Sequence, residues 1–84
     1  MAELSGALTH DTVPDLATRA EALGADDVLD LSGVERVDSS AVALLLEIRR
    51  RKGQPLRLQG VPPHLQSLIA CFGVGELLTA TSET

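Results

Sequence analysis

Hydrophobic and polar positions along the chain follow two alternating periods. Glu3 to Leu8 reads as a short strand interrupted by Gly6. Thr12-Val13-Pro14-Asp15 has the form of a helix start, with a hydroxyl cap, a proline in the first turn and an acid three residues after the cap. Val13, Leu16, Ala17, Ala20 and Leu23 then share one face of an amphipathic helix of about three turns, which Gly24 ends. Asp27 to Leu31 is the next strand, closed by a Ser32-Gly33 turn. Ala41, Leu44, Leu45 and Ile48 repeat at i, i+3, i+4 and i+7, Val42 and Leu46 widen that stripe, and Gly53 stops the second helix. Leu56 to Gln59 alternates as a strand with one wetter face. A third helix opens at Pro62-Pro63, where missing amide hydrogens cost little, and carries Leu65, Leu68, Ile69 and Phe72 on one stripe before Gly73. Leu77 to Ala80 adds a final short strand.

The order β-α-β-α-β-α with a last strand is that of an α/β fold. Right-handed crossovers join its strands into a small, mostly parallel open sheet with helices packed on it. In such sheets the loops at the carboxyl ends of the strands carry function. Asp38-Ser39-Ser40 follows a strand and opens the second helix, so its location alone makes it the candidate site. The chain shows no linker, repeat or low-complexity segment.

Composition removes several kinds of function. A domain of 84 residues buries only a little over about 60% of its unfolded surface, which leaves little room for a deep enzyme pocket. A surface site is the better expectation. Phe72 is the lone aromatic residue, so base-stacking platforms and aromatic cages are out of reach. The apolar run Ala41 to Leu46 is far shorter than the roughly 20 residues that span a bilayer, and no charged-then-apolar leader opens the chain, so a cytosolic protein without membrane insertion is expected. Cys71 has no second cysteine to pair with, and with only His10 and His64 it builds no zinc site; it reads as a small buried hydrophobe.

The net charge of -5 argues against nucleic acid as a partner but hides a division. Met1 to Asp38 carries nine acids against Arg19 and Arg36, whereas Arg49, Arg50, Arg51 and Lys52 crowd the end of the second helix. Successive residues are about 100° apart on a helix, so this run wraps the helix end instead of lining one face. The cations complement the negative end of the helix dipole, and they also form a possible charged rim for a partner.

Three roles are open to Asp38-Ser39-Ser40. A serine nucleophile requires a histidine within hydrogen-bond reach, a group to orient it and oxyanion donors; His10 lies in the first loop, His64 starts the third helix, and no nucleophile-elbow glycines flank Ser39. There is no glycine-lysine phosphate loop, so neither hydrolysis nor a bound cofactor is expected of this chain. As a cap, an oxygen of Asp38 or Ser39 satisfies the free amides of the helix start, for about 1 kcal/mol. As a switch, an exposed hydroxyl at a positive helix end is well placed to accept a phosphate of charge about -2, which Asp38 opposes by repulsion.

The stretch "LDLSGVERVDSSAVALLLEI", Leu29 to Ile48, resembles the signature of the STAS domain, the fold of anti-sigma factor antagonists, transporter tails and a subunit of bacterial lipid transporters. The resemblance runs from "ELSGAL" at Glu3 to about Leu78. It implies one STAS domain over residues 1–84 that lacks a full first strand, and a partner-binding site at Asp38, Ser39 and Ser40. In antagonists of this kind the serine after the aspartate is phosphorylated by a partner kinase, which falls on Ser39; the glycine usual after the serine pair is replaced by Ala41. "LRLQGVPPHLQSLIACFGV", Leu56 to Val74, is similar to the STAS subunit of the Mla phospholipid transport system. That similarity implies a non-enzymatic cytoplasmic module at the inner membrane, bound to an MlaF-like ABC transporter ATPase with its permease, which supports outer-membrane lipid asymmetry. The alternative is an antagonist that captures an anti-sigma factor kinase.

Overall fold

The structure is a computed structural model that describes residues 2–26, 28–54, 56–72 and, as backbone, 78–80. The elements in order are β1 (Ala2–Leu8), α1 (Val13–Ala17), α2 (Ala20–Leu23), β2 (Val28–Val37), α3 (Ser39–Lys52), β3 (Leu56–Gln59), α4 (Pro63–Phe72) and β4 (Leu78–Ala80). All neighbouring strands pair in parallel, in the order β1-β2-β3-β4. The expected α/β fold, a parallel open sheet with helices packed on it, is what the chain adopts. A sheet whose strand order never reverses has no topological switch point, so the crevice in which doubly wound folds bind nucleotides does not arise.

Consecutive right-handed crossovers in one direction put every helix on the same face of the sheet. Burial along the strands agrees: Leu29, Leu31, Leu56 and Leu58 are buried toward the helices, whereas Glu3 and Arg57 are exposed on the other face. The row Glu3, Asp30, Gln59 runs in register across that polar face. Centrally placed α3 packs against α1, α2 and α4, and its stripe Ala41, Leu44, Leu45 and Ile48 is buried as the period requires. Each buried leucine contributes about 1.5–3 kcal/mol relative to exposure, so this one helix holds much of the core.

Three expectations about the first half are corrected. The first helix is not continuous: Thr18 and Arg19 donate their amides to the carbonyls of Asp15 and Leu16, three residues back, and the Thr18 hydroxyl binds the Asp15 carbonyl at 2.6 Å. This tightened turn ends α1, and α2 starts anew at Ala20. Thr12 does not cap α1; its hydroxyl donates to the Ala7 carbonyl at 2.8 Å and accepts the Thr9 amide at 3.0 Å, closing the preceding turn. Ser32-Gly33 is not a turn, because β2 runs on to Val37 beside β1 with register slips after Glu3 and after Gly6. Gly33 answers a close approach there, since a Cβ would lie 3.0 Å from that of Ser5.

Candidate functional site

Asp38 follows β2 in extended backbone (φ -137°) and one carboxylate oxygen accepts the Ser40 amide at 2.7 Å. The cap of α3 is therefore the aspartate and not Ser39. Its other oxygen accepts the His10 amide at 3.1 Å and lies 3.3 Å from His10 Nδ1. Desolvation works to raise the pKa of Asp38, but these amide and side-chain hydrogen bonds from His10 and Ser40 outweigh it and hold the carboxyl below its ordinary 3.8. The Asp38 amide completes the joint by donating to the Leu8 carbonyl at 3.2 Å. Two loops at the carboxyl ends of β1 and β2 are thereby fastened together.

Ser39, the first residue of α3, is exposed, and Ser40 is half-buried. Ser39 opens onto a groove of about 330 Å³ lined also by Val42, Ala43, Leu46 and Phe72. On a helix Leu46 falls within about 20° of Ser39, so groove and hydroxyl share the outward stripe of α3. Phe72 forms the opposite wall from the end of α4 and is 51% exposed. The sequence stripe placed Phe72 in the core. It does lie in line with buried Leu65, seven residues earlier, but α4 is buried fully only at Leu65, with Leu68 and Ile69 half-covered. Cys71 is likewise exposed instead of buried, because six residues from Leu65 correspond to about 240° around the helix, off the packed face.

The four cations ending α3 do not act as one group. Glu47 binds Arg50 through both of its oxygens, at 2.7 and 3.0 Å, and Arg51 at 2.7 Å; these bonds lower its pKa from 4.5 to about 2. Lys52 turns inward to the carbonyls of Gly24 and Asp26. Arg49 keeps a buried Nε with no hydrogen-bond partner among the described residues. Arg50 falls within about 20° of Ser39 around α3, though about 16 Å along the axis, whereas Arg49, Arg51 and Lys52 point elsewhere. Only Arg50 joins the face that carries Ser39.

His64 is exposed in the first turn of α4. The nitrogens of His10 are directed at Asp38 and Asp11, and not at Ser39. Among the described residues no group of three His, Cys, Asp or Glu is placed to hold a metal ion, and no helix is long and apolar enough to cross a membrane. Sequence reasoning missed His10 as a partner of Asp38, for which sequence distance gives no signal. It also missed Ala43 as part of a surface; the signal was an alanine and a leucine on the same outward stripe as Ser39.

Comparison with known proteins shows the family and the fold. The family described as Mlab, STAS domain matches residues 1–79. The intermembrane phospholipid transport system binding protein MlaB of Escherichia coli (strain K12) is 35% identical over 75 residues, covering 84% of this chain and 77% of the relative. The protein of the same name from Shigella flexneri matches to the same extent, 35% over 75 residues. Among solved structures, the anti-sigma factor antagonist SpoIIAA in its unphosphorylated form superposes with a TM-score of 0.66 at 21% identity, over 98% of this chain and 77% of that one, a likeness of fold. The chain belongs to the STAS domain family, in its MlaB group.

Proposed function

We propose, with membership of that family as the premise, that this protein is a non-enzymatic interaction subunit of an intermembrane phospholipid transport system. In this reading it binds the system's ABC ATPase on the cytoplasmic side of the inner membrane, is held there with the permease through that partner, and so supports outer-membrane lipid asymmetry. The observation that carries the docking role is the open groove between Ser39 and Phe72. Exposed Ala43 and Phe72 and half-buried Leu46 wall it over a floor that includes the buried Val42, and one end is the rigidly capped start of α3. Interfaces combine an apolar centre with a polar rim, here Asp38, Ser39 and Ser40 at one end and Arg50 with Glu47 at the other. Burying the half-exposed Phe72 ring supplies the kind of anchor that dominates binding energy. The name borne by the 35%-identical relatives supports the transport assignment over other uses of the same fold.

One feature favours a second reading. The Ser39 hydroxyl is exposed and free of capping duty, so a phosphate added there would load the docking face with charge at little cost to the fold. An anti-sigma factor antagonist that captures a kinase would work in this way. Affinity capture from a native membrane extract separates the two. Recovery of an ABC ATPase with its permease supports the transport subunit; recovery of an anti-sigma kinase without them replaces it with the switch. Ser39→Glu is expected to leave the fold intact and to weaken capture of either partner.

A further inference from the structure

Three of the four cations that end α3 are bound within the domain, and the fourth is not. Arg50 and Arg51 share Glu47, Arg51 also lies 3.7 Å from Glu21, and Lys52 holds two carbonyls. Arg49 has no hydrogen bond or ion pair among the described residues. Glu47, the acid that serves its neighbours, is two residues back and so about 160° away around the helix. The Arg49 side chain is half-buried, and Nε alone of its nitrogens is both enclosed and unbonded, so the two terminal nitrogens reach the surface. Enclosing an unbonded donor of a charged group costs the free domain stability.

Arg49 is off the Ser39 stripe but in line with the floor of the groove. Seven residues after Val42 and three after Leu46, it falls within about 20° of Val42 and about 10 Å further along the axis. Val42 and Leu46 both line the groove, so the covered stem of Arg49 extends it beyond Leu46 and the charge emerges at that end. We propose that Arg49 forms the interface's ion pair, taking an aspartate or glutamate side chain of the partner ATPase beside the groove. Enclosure of Nε restrains the stem, so little rotamer freedom is lost on binding, and the two terminal nitrogens present paired donors that fit a carboxylate. The chain's net charge of -5 repels an acidic partner at long range, so such a contact depends on a local, uncommitted cation. Arg50 is not equivalent: Glu47 already meets its charge in solvent, which leaves it to steer the encounter while Arg49 holds the complex. This inference rests on the docking reading given above and names the chemistry of the surface that docks.

The test compares Arg49→Met with the parent, first alone and then with the ATPase. Methionine keeps an unbranched stem and removes both the charge and the unmade bond. Alone, Arg49→Met is expected to melt at or above the parent's temperature. In surface plasmon resonance against the ATPase it is expected to dissociate faster by roughly tenfold or more, with association little changed. Arg49→Lys is expected to recover only part of that loss, because an ammonium lacks the paired donors. Carbodiimide coupling of the Arg49→Lys chain to the ATPase, read by peptide mass spectrometry, is expected to join position 49 to an aspartate or glutamate. Dissociation of Arg49→Met at the parent's rate, or coupling that never involves position 49, would overturn the proposal and leave the docking reading standing. So would Arg49-dependent binding to vesicles of phosphatidylglycerol and phosphatidylethanolamine without the ATPase, which assigns the guanidinium to lipid phosphate. An Arg49→Met chain that melts below the parent also overturns it, by giving the side chain a structural role. A parent chain that binds no ATPase removes the docking reading and this inference together, so the two failures are told apart.

Discussion

Lys52, the last residue of α3, reaches across to the end of α2 and donates from Nζ to the Gly24 carbonyl at 2.9 Å. The same ammonium serves the Asp26 carbonyl, also at 2.9 Å. A short helix such as α2 has few bonds of its own and ends in unsatisfied carbonyls, so a cation from a neighbouring element finishes it. Lys52→Ala is expected to cost about 1 kcal/mol, since the bonds are charge-assisted but partly solvated. In a domain of this size the shift is about 4–8 °C in Tm by calorimetry. Lys52→Arg separates charge from shape: the wider guanidinium is expected to recover only part of the loss, because two converging carbonyls suit a point donor.

Glu47 gives the chain an acid-sensitive element. Its pKa falls from 4.5 to about 2 because Arg50 and Arg51 both bind its charged form. A carboxylate whose folded pKa is depressed contributes stability that is present above the unfolded value and lost as pH falls through the folded one. Denaturant midpoints measured from about pH 5 down to about pH 2 are therefore expected to fall for the native chain and to fall less for Glu47→Gln. The exposed position of the pair keeps the difference small.

What the sequence disclosed follows the physics of each element. α3 was readable from end to end, because an acid before the helix, a buried stripe and Gly53 after it all act within one element. β3 was readable by its alternation, and the opening of α4 by its prolines. The α1–α2 break was not, since apolar spacing at 13, 16, 17, 20 and 23 is the same whether or not the turn at Thr18 tightens. The length of β2 was hidden for a different reason. Ser32 and Gly33 are turn formers locally, and the Asp30 carboxylate does bind the Ser32 amide at 2.9 Å, yet pairing with β1 keeps the chain extended. At the candidate site, a cap at Asp38 or Ser39 was legible, but the choice of Asp38 and its joint with His10, 28 residues away, were not. The exposure of Phe72 was also hidden, because periodicity tells which side of a helix a residue is on and not how far the core extends beneath it.

Gly53 and Gly60 both adopt left-handed backbone, with φ of 73° and 67°, yet they differ in surroundings. A Cβ on Gly53 meets open space, so Gly53→Ala is expected to cost about 1–2 kcal/mol from conformation alone. At Gly60 a Cβ would sit 2.8 Å from the Ser32 Cβ and 3.1 Å from its backbone nitrogen, where β2 is held on its other side by β1. Gly60→Ala is therefore expected to be the more damaging by at least about 1 kcal/mol in urea unfolding. Equal losses at the two positions would show that the β3–α4 turn relaxes away from Ser32.

The cap assignment predicts unequal effects of neighbouring substitutions. Asp38→Ala removes the acceptor of the Ser40 and His10 amides together and is expected to lower Tm by about 4–8 °C. Ser39→Ala removes an exposed hydroxyl that caps nothing and is expected to stay within about 0.5 kcal/mol of the parent. Thermal melts of the two variants decide between aspartate and serine as the cap, and reversal of their order would reassign it.

Ala43 is the sharpest probe of the proposed docking face. It lines the groove between Ser39 and Phe72 and is exposed, so its side chain contributes nothing to the buried stripe of α3. Glutamate is almost as good a helix former as alanine, and stability of Ala43→Glu is expected to remain within about 0.5 kcal/mol of the parent. If a partner's apolar side chain fills the groove, the new carboxylate either occupies that space or is buried without a counter-charge. Either outcome is expected to weaken binding by tenfold or more, which is about 1.4 kcal/mol or above. Arg50→Gln provides the contrast at the rim. Its loss is expected to change association rate and salt dependence more than residence time, because an exposed charge steers an encounter without anchoring it. Surface plasmon resonance against the captured ATPase resolves the two effects. An unchanged dissociation rate for Ala43→Glu, with the fold intact by circular dichroism, would move the partner off this groove.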